Sequence, residues 1–116
     1  MANHKDLDAW KVAIDLAKNV YKLTSSFPST EMYGLTAQMR RSAISIASNI
    51  AEGAARNSDK EFIQFLYVAL GSVSELETQY ILSKELTFTE GAPSLEADME
   101  RARKLTVGMI KYLKNK

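Results

Sequence analysis

An all-α fold, an antiparallel up-down bundle of four helices, is what three observations predict for this chain. Four stretches carry apolar residues at three- and four-residue steps, short connectors rich in Pro, Gly, Ser and Thr separate them, and nowhere do apolar and polar residues alternate long enough for a strand. A chain of 116 residues suits one domain, residues 1–116, and one of that size buries about two thirds of its unfolded surface. Its 46% apolar content is ordinary for a globular protein.

The first helix is expected from about Leu7 to Ser25. Leu7, Trp10, Ile14, Ala17, Tyr21 and Thr24 form one stripe, and Ala13, Leu16, Val20 and Leu23 form a second beside it. Two adjoining stripes make an apolar face wider than a two-helix seam needs. Asp6 or Asp8 suits the positive end of the helix dipole, and Phe27-Pro28 stops the helix because a residue before proline avoids helical geometry. Residues 28–35 read as a connector with room for one short helical turn. Thr36 is the expected N-cap of the second helix, which continues to about Arg56 with Met39, Ala43, Ile46, Ile50 and Ala54 inward.

Asn57-Ser58 breaks the pattern, and Ser58 with Glu61 makes a capping box for a third helix from Asp59 to about Leu86. Its stripe is Phe62, Leu66, Ala69, Val73, Leu76 and Tyr80, widened by Phe65, Leu70 and Ile81. Gly71 in mid-helix costs about 1 kcal/mol relative to alanine, which points either to a close helix crossing or to a local kink. Residues 87–93 form a turn by composition. Ser94 is expected to cap the fourth helix, with Leu95, Met99, Ala102, Leu105, Met109 and Leu113 inward.

Composition removes whole classes of function. The chain has no cysteine, so disulfides, thiolate zinc sites and cysteine nucleophiles are excluded. Ferritin-type metal sites need Glu-x-x-His pairs, and the lone histidine, His4, sits near an end expected to fray. The five glycines are isolated and make no phosphate loop. Nothing nominates a catalytic residue, a cofactor or a metal. The start of the chain lacks the apolar core of a signal peptide, and no apolar run approaches the roughly 20 residues that span a bilayer. A soluble, cytoplasmic protein without membrane partners is expected.

The segment from Arg40 to Arg56 stands apart, because five of its apolar residues are alanine, with serines and Gly53 between them. Small side chains let a helix lie close to its neighbours. Arg40 and Arg41 point about 100° apart, so one faces solvent or a second copy while the other reaches a carboxylate on the third helix. Glu75 and Glu77 are the candidates for an ion pair within or between subunits. Asn49, Glu52 and Arg56 form a polar ladder: Asn49 suits a register-fixing hydrogen bond, and Glu52 precedes Arg56 by four in the favourable order.

Formal net charge is +1, from fifteen basic and fourteen acidic residues. From Leu86 onward there are six basic and four acidic residues, an excess of two, whereas residues 57–85 hold five acids and two lysines, a net of −3. A dipolar surface follows. Arg56, Lys60, Arg101, Arg103, Lys104 and Lys111 are the candidates for contact with RNA or DNA, should an oligomer multiply them. For the residues of the fourth helix the alternative reading is complementation of the helix dipole. Tyr21, Tyr33, Tyr67, Tyr80 and Tyr112 read as core-edge residues with a wet hydroxyl, with stacking on bases as the alternative.

YGLTAQMRR, SIASNIAEG and GSVSELETQ, in that order, resemble the bacterial four-helix-bundle proteins first noticed as products of intervening sequences in 23S ribosomal RNA genes. DLDAWKVAIDLAKNVY near the start and a weaker fourth helix extend the resemblance over nearly the whole chain. It implies a left-handed bundle that assembles as a homo-oligomer, a pentamer, with no enzymatic activity. A more distant similarity is to the accessory protein of diversity-generating retroelements, a strongly basic pentameric barrel that binds nucleic acid and a reverse transcriptase. The expectation is therefore a non-enzymatic oligomeric scaffold, with a nucleic-acid-binding accessory role as the alternative.

Overall fold

The computed structural model describes residues 3–116. Four helices carry the apolar stripes: α1 (Asp8–Thr24), α2 (Leu35–Ala54), α3 (Asp59–Glu85) and α4 (Pro93–Lys114), with short 3-10 turns at His4–Asp6 and Ser29–Glu31. The described residues include no strand. None of their helices is long and apolar enough to cross a membrane. Pairwise contacts show how the helices run. Ser45 meets Ser72 while Gly53 lies against Phe62 and Phe65, so α2 and α3 are antiparallel. Tyr80 meets Glu96 and Tyr67 meets Lys114, which sets α4 against α3 in the same sense. Asn19 Nδ2 donates to Asp98 at 2.6 Å and closes the bundle between α1 and α4.

The core is one cluster in which Leu16, Met39, Ile46, Ile50, Leu66, Leu76 and Leu95 are fully buried. All five inward positions expected on α2 are buried, and so is the α3 stripe apart from the half-buried Phe62. On α1 the buried line is Ala9, Val12, Ala13, Leu16 and Val20. Of the other expected stripe, Leu7, Trp10, Ile14 and Ala17 are partly buried against the core, Tyr21 is exposed and Thr24 is buried. Ile81, expected to widen the α3 stripe, is 59% exposed. On α4 the buried line passes through Thr106 and Ile110, leaving Leu105 and Met109 only half-buried. The inward arc there is centred one position away from where side-chain hydrophobicity alone puts it. Thr106 Oγ1 is buried without a hydrogen-bond partner among the described residues.

Helix ends depart from expectation in three places. Thr36 is not the cap of α2 but a buried residue of its first turn, and the helix starts at Leu35. The carboxylate of Glu31, carried on the preceding 3-10 turn, accepts from the Leu35 N–H at 3.0 Å and satisfies that orphan donor. Ser94 does not cap α4; Pro93 opens the helix, where its missing N–H is no loss. His4 is not in a frayed end. It lies in the first 3-10 turn with its ring edge-on to Trp10 at 5.2 Å. The Ser58 cap of α3 is as expected, its hydroxyl accepting from the Glu61 N–H at 3.2 Å.

The α3–α4 turn is held by two devices. Thr87 takes φ 62° where a glycine is usual, and Phe88 N–H reaches back to the Ser83 carbonyl at 2.9 Å. This is the Schellman closure of α3, made at the expense of a β-branched residue in left-handed geometry. Phe88 then packs on Phe27 at 5.6 Å. Tyr80 provides the second device. Its hydroxyl donates to Glu96 Oε2 at 2.5 Å and accepts the Ala92 N–H at 2.8 Å, tying α3 to the first turn of α4. Burial pushes the Tyr80 phenol above its ordinary value, and the hydrogen bond and charge of Glu96 push the same way; the Ala92 N–H opposes them.

The two helical glycines anticipated as sites of close packing differ sharply. A Cβ on Gly53 would sit 2.7 Å from Phe65 Cβ and 2.9 Å from Phe62 Cδ1, so α2 and α3 cross there at backbone distance. A Cβ on Gly71 would meet nothing within 4 Å. No helix of this chain crosses at Gly71, and α3 continues helical through it. Gly53→Ala is expected to lower stability by about 1–3 kcal/mol through overpacking, measured by urea denaturation. Tyr80→Phe is expected to cost about 1–2 kcal/mol, because it leaves the Ala92 N–H unpaired. Because the folded phenol binds its proton more tightly than the unfolded one, its contribution is whole below pH 10.0 and is lost as pH rises through the folded value. The alkaline decline in stability should therefore flatten in Tyr80→Phe.

Candidate interaction surface

Tyr21, the exposed residue of that α1 stripe, does not stand alone. Ile44 and Ala37 on the outer side of α2 continue it, and Met32 and Tyr33 from the connector extend it further. Tyr33 is 95% exposed. Between them runs an open groove of about 660 Å³ lined by Tyr21, Met32, Tyr33, Thr36, Ile44 and both arginines, among others. Single exposed apolar residues are unremarkable on any protein surface; this set faces one groove, which makes the groove the candidate interaction surface.

Arg40 is a fixed part of that surface. Its guanidinium lies 4.4 Å from the centre of the Tyr21 ring, and its Nε donates to Thr24 Oγ1 at 2.9 Å. Thr24 in turn donates to the Val20 carbonyl at 2.8 Å. A chain of hydrogen bonds from the end of α1 thus orients a cation–π pair at the groove wall. Within the chain neither arginine pairs with Glu75 or Glu77. Arg40 turns toward α1 because its position on α2 faces that helix, and Arg41 is exposed with no ion pair among the described residues. The partner of Glu77 is Arg103 of α4, which also approaches Ser74. Glu75 is exposed on the outer face of α3.

The polar ladder of α2 divides. Asn49 donates to the Ser45 carbonyl at 2.8 Å and to Ser45 Oγ at 2.9 Å, and Ser45 Oγ meets Ser72 Oγ at 2.9 Å. The link to α3 therefore runs through two serines, with Asn49 behind them. Two small residues at the α2–α3 seam carry a signal that composition offered without saying which partners they would find. Glu52 and Arg56 pair at 3.2 Å on the exposed side, a contribution of about 0.3–0.5 kcal/mol. Arg56 also covers the Phe65 ring at 4.8 Å.

The basic candidates are scattered. Arg56 and Lys60 flank the α2–α3 turn, and Arg103 is engaged between α3 and α4. Arg101 and Lys104 border a groove between α1 and α4 that also holds Lys11, Asp8 and Asp15. Lys111 follows Lys104 by seven and lies on the same side of α4, while Lys104 pairs with Glu100 at 3.5 Å. Of the tyrosines, Tyr80 is committed to the α3–α4 turn, Tyr21 to Arg40, and Tyr67 to Lys114 at 2.8 Å. No group of three or more His, Cys, Asp or Glu among the described residues is placed to hold a metal ion.

The structure is a four-helix bundle with an open groove walled by exposed apolar side chains and by Arg40, held on Tyr21 and Thr24. The family model for the 23S rRNA-intervening sequence protein matches residues 5–108, and the chain belongs to that family. Among solved structures it is similar to a Bacteroides thetaiotaomicron protein of unknown function from the S23 ribosomal protein family, at 25% identity and a TM-score of 0.78, over 89% of this chain and 98% of that one. No curated protein matches it.

Proposed function

We propose that this protein is a non-enzymatic, cytoplasmic scaffold that works as a homo-oligomer, a pentamer on the family resemblance. One observation carries the reading: Tyr21 at the end of α1, Ile44 of α2, and Met32 and Tyr33 of the connector are all exposed around one open groove. Covering such a face with a second copy removes apolar surface from water at about 25 cal/mol per Å². Arg40 supports it further, since a guanidinium already oriented by Thr24 and Tyr21 loses little freedom on being covered.

A nucleic-acid-binding accessory role is the second reading. It is favoured by Arg101, Lys104 and Lys111 lying along one side of α4, where oligomerisation would repeat them. Asp8 and Asp15 border the same groove and reduce its field. The balance of charge therefore favours the scaffold.

Light scattering distinguishes the two. The wild-type chain is expected to run as several copies of 12.9 kDa, with a mass unaltered by short RNA at low salt. Ile44→Asp is expected to lower that mass while changing the stability of the fold by no more than about 0.5 kcal/mol, as for other exposed positions. A mass increase with RNA that vanishes steeply as salt rises would establish the second reading instead. A chain of 12.9 kDa at every concentration would remove the scaffold.

A further inference from the structure

Three of the positions that periodicity turns inward, Leu7, Phe62 and Met109, stay only partly buried, and they do so at one place. They belong to α3, α4 and the residue before α1, and with Leu113 they line a cavity of about 460 Å³. It lies where α1 and α3 begin and α2 and α4 end, at the opposite end of the bundle from the groove of Tyr21 and Arg40. The core is open here because α2 ends in Ala54, whose side chain is too short to fill the space. One side of the rim is polar, running from Arg56 to Asp59 in the α2–α3 turn, and Lys116 stands beside it. Apolar pockets of about 300–1,000 Å³ with a few polar groups at hand are the usual sites for small molecules.

We propose that this cavity binds a small amphiphilic carboxylate, its hydrocarbon tail against Leu7, Phe62, Met109 and Leu113 and its headgroup at the mouth between Arg56 and Lys116. Charge selects the headgroup. The ionised side chains of the lining are two cations and one carboxylate, Asp59, which takes Lys116 at 3.3 Å. Arg56 gives one N–H group to Glu52 at 3.2 Å and rests on the Phe65 ring at 4.8 Å. Its guanidinium is thus oriented, while its other N–H groups have no acceptor among the described residues. A planar fork with donors to spare suits a second carboxylate. Both cations are about half exposed, so a headgroup reaches them while keeping part of its water. A cationic headgroup would meet like charge from both, and an anion without a tail would leave the apolar floor wet. The site shares no residue with the groove, so the inference is independent of the oligomer.

Octanoate, titrated below its micellar concentration into the full chain, is the probe, and side-chain methyl resonances are the readout. Octanoate is expected to shift the methyl signals of Leu7, Met109 and Leu113 saturably and to leave Ile44, in the groove, unmoved. Octan-1-ol should bind at the same place about tenfold more weakly, because it forms no charge-assisted hydrogen bond. Arg56→Gln combined with Lys116→Gln should reduce octanoate to the affinity of the alcohol. Met109→Trp fills the cavity from within and should abolish binding of both while keeping the far-ultraviolet circular dichroism of the wild type; Leu7→Phe makes the same test by a smaller step. No saturable shift at the three methyls, equal shifts at Ile44, or undiminished binding by the folded filled variants overturns the site. Equal affinities for acid and alcohol, or octanoate binding that survives the loss of both cations, overturns the carboxylate as its ligand.

Discussion

In a four-helix bundle each helix has two neighbours, and their surfaces enclose only part of its circumference. That geometric limit governs this protein. α1 carries two apolar stripes, and the bundle encloses the one running through Ala9, Val12, Ala13, Leu16 and Val20. Of the stripe through Trp10, Ile14, Ala17 and Tyr21, the first three lie at the edge of the core and Tyr21 is exposed. Neighbouring parts of α2 and the connector add Ile44, Met32 and Tyr33 to it. The exposed face is a consequence of having more apolar arc than two neighbours can cover.

Close approach of α2 and α3 is the second determinant. Gly53 against Phe62 and Phe65 sets the two helices at backbone distance at one end, and Ser45 against Ser72 keeps them close near the middle. Alanine-rich α2 lacks the bulk that would separate them. Short side chains at this seam push large ones elsewhere, and the positions left for apolar bulk on α2 are the core line and the outer side at Ile44. Packing inside the bundle and exposure outside it are therefore two results of one distribution of small residues.

Polar groups reinforce this arrangement at the ends of the bundle. Thr24 holds Arg40 over Tyr21, Glu31 satisfies the first donor of α2, and Tyr80 bridges Ala92 and Glu96. The Arg40 and Tyr80 bonds join different helices, and those of Glu31 and Tyr80 also satisfy the backbone N–H groups of Leu35 and Ala92. None assembles a nucleophile, a base and an oxyanion donor. What these bonds do is stiffen the ends of the helices that frame the groove and the turn opposite it.

Periodicity by itself determined the four helices, the connectors and most of the core, because a 3.6-residue repeat needs only local order to be read. The width of the apolar face on α1 was equally legible, since it is a count of stripes. Which stripe turns inward was not, because that depends on the rotation of α1 against α2 and α4. The same reason explains α4, where Thr106 and Ile110 displace Leu105 and Met109 from the interior. Caps at Thr36 and Ser94 were misplaced because Glu31, outside α2, takes the Leu35 N–H and Pro93 opens α4. Arginine partners lay beyond reach for the same cause: a long charged side chain takes whichever acceptor or ring the neighbouring helix presents. Only the packed bundle decided that Arg40 would meet Thr24 and Tyr21, that Arg103 would take Glu77, and that Gly71 would face outward with nothing beside it.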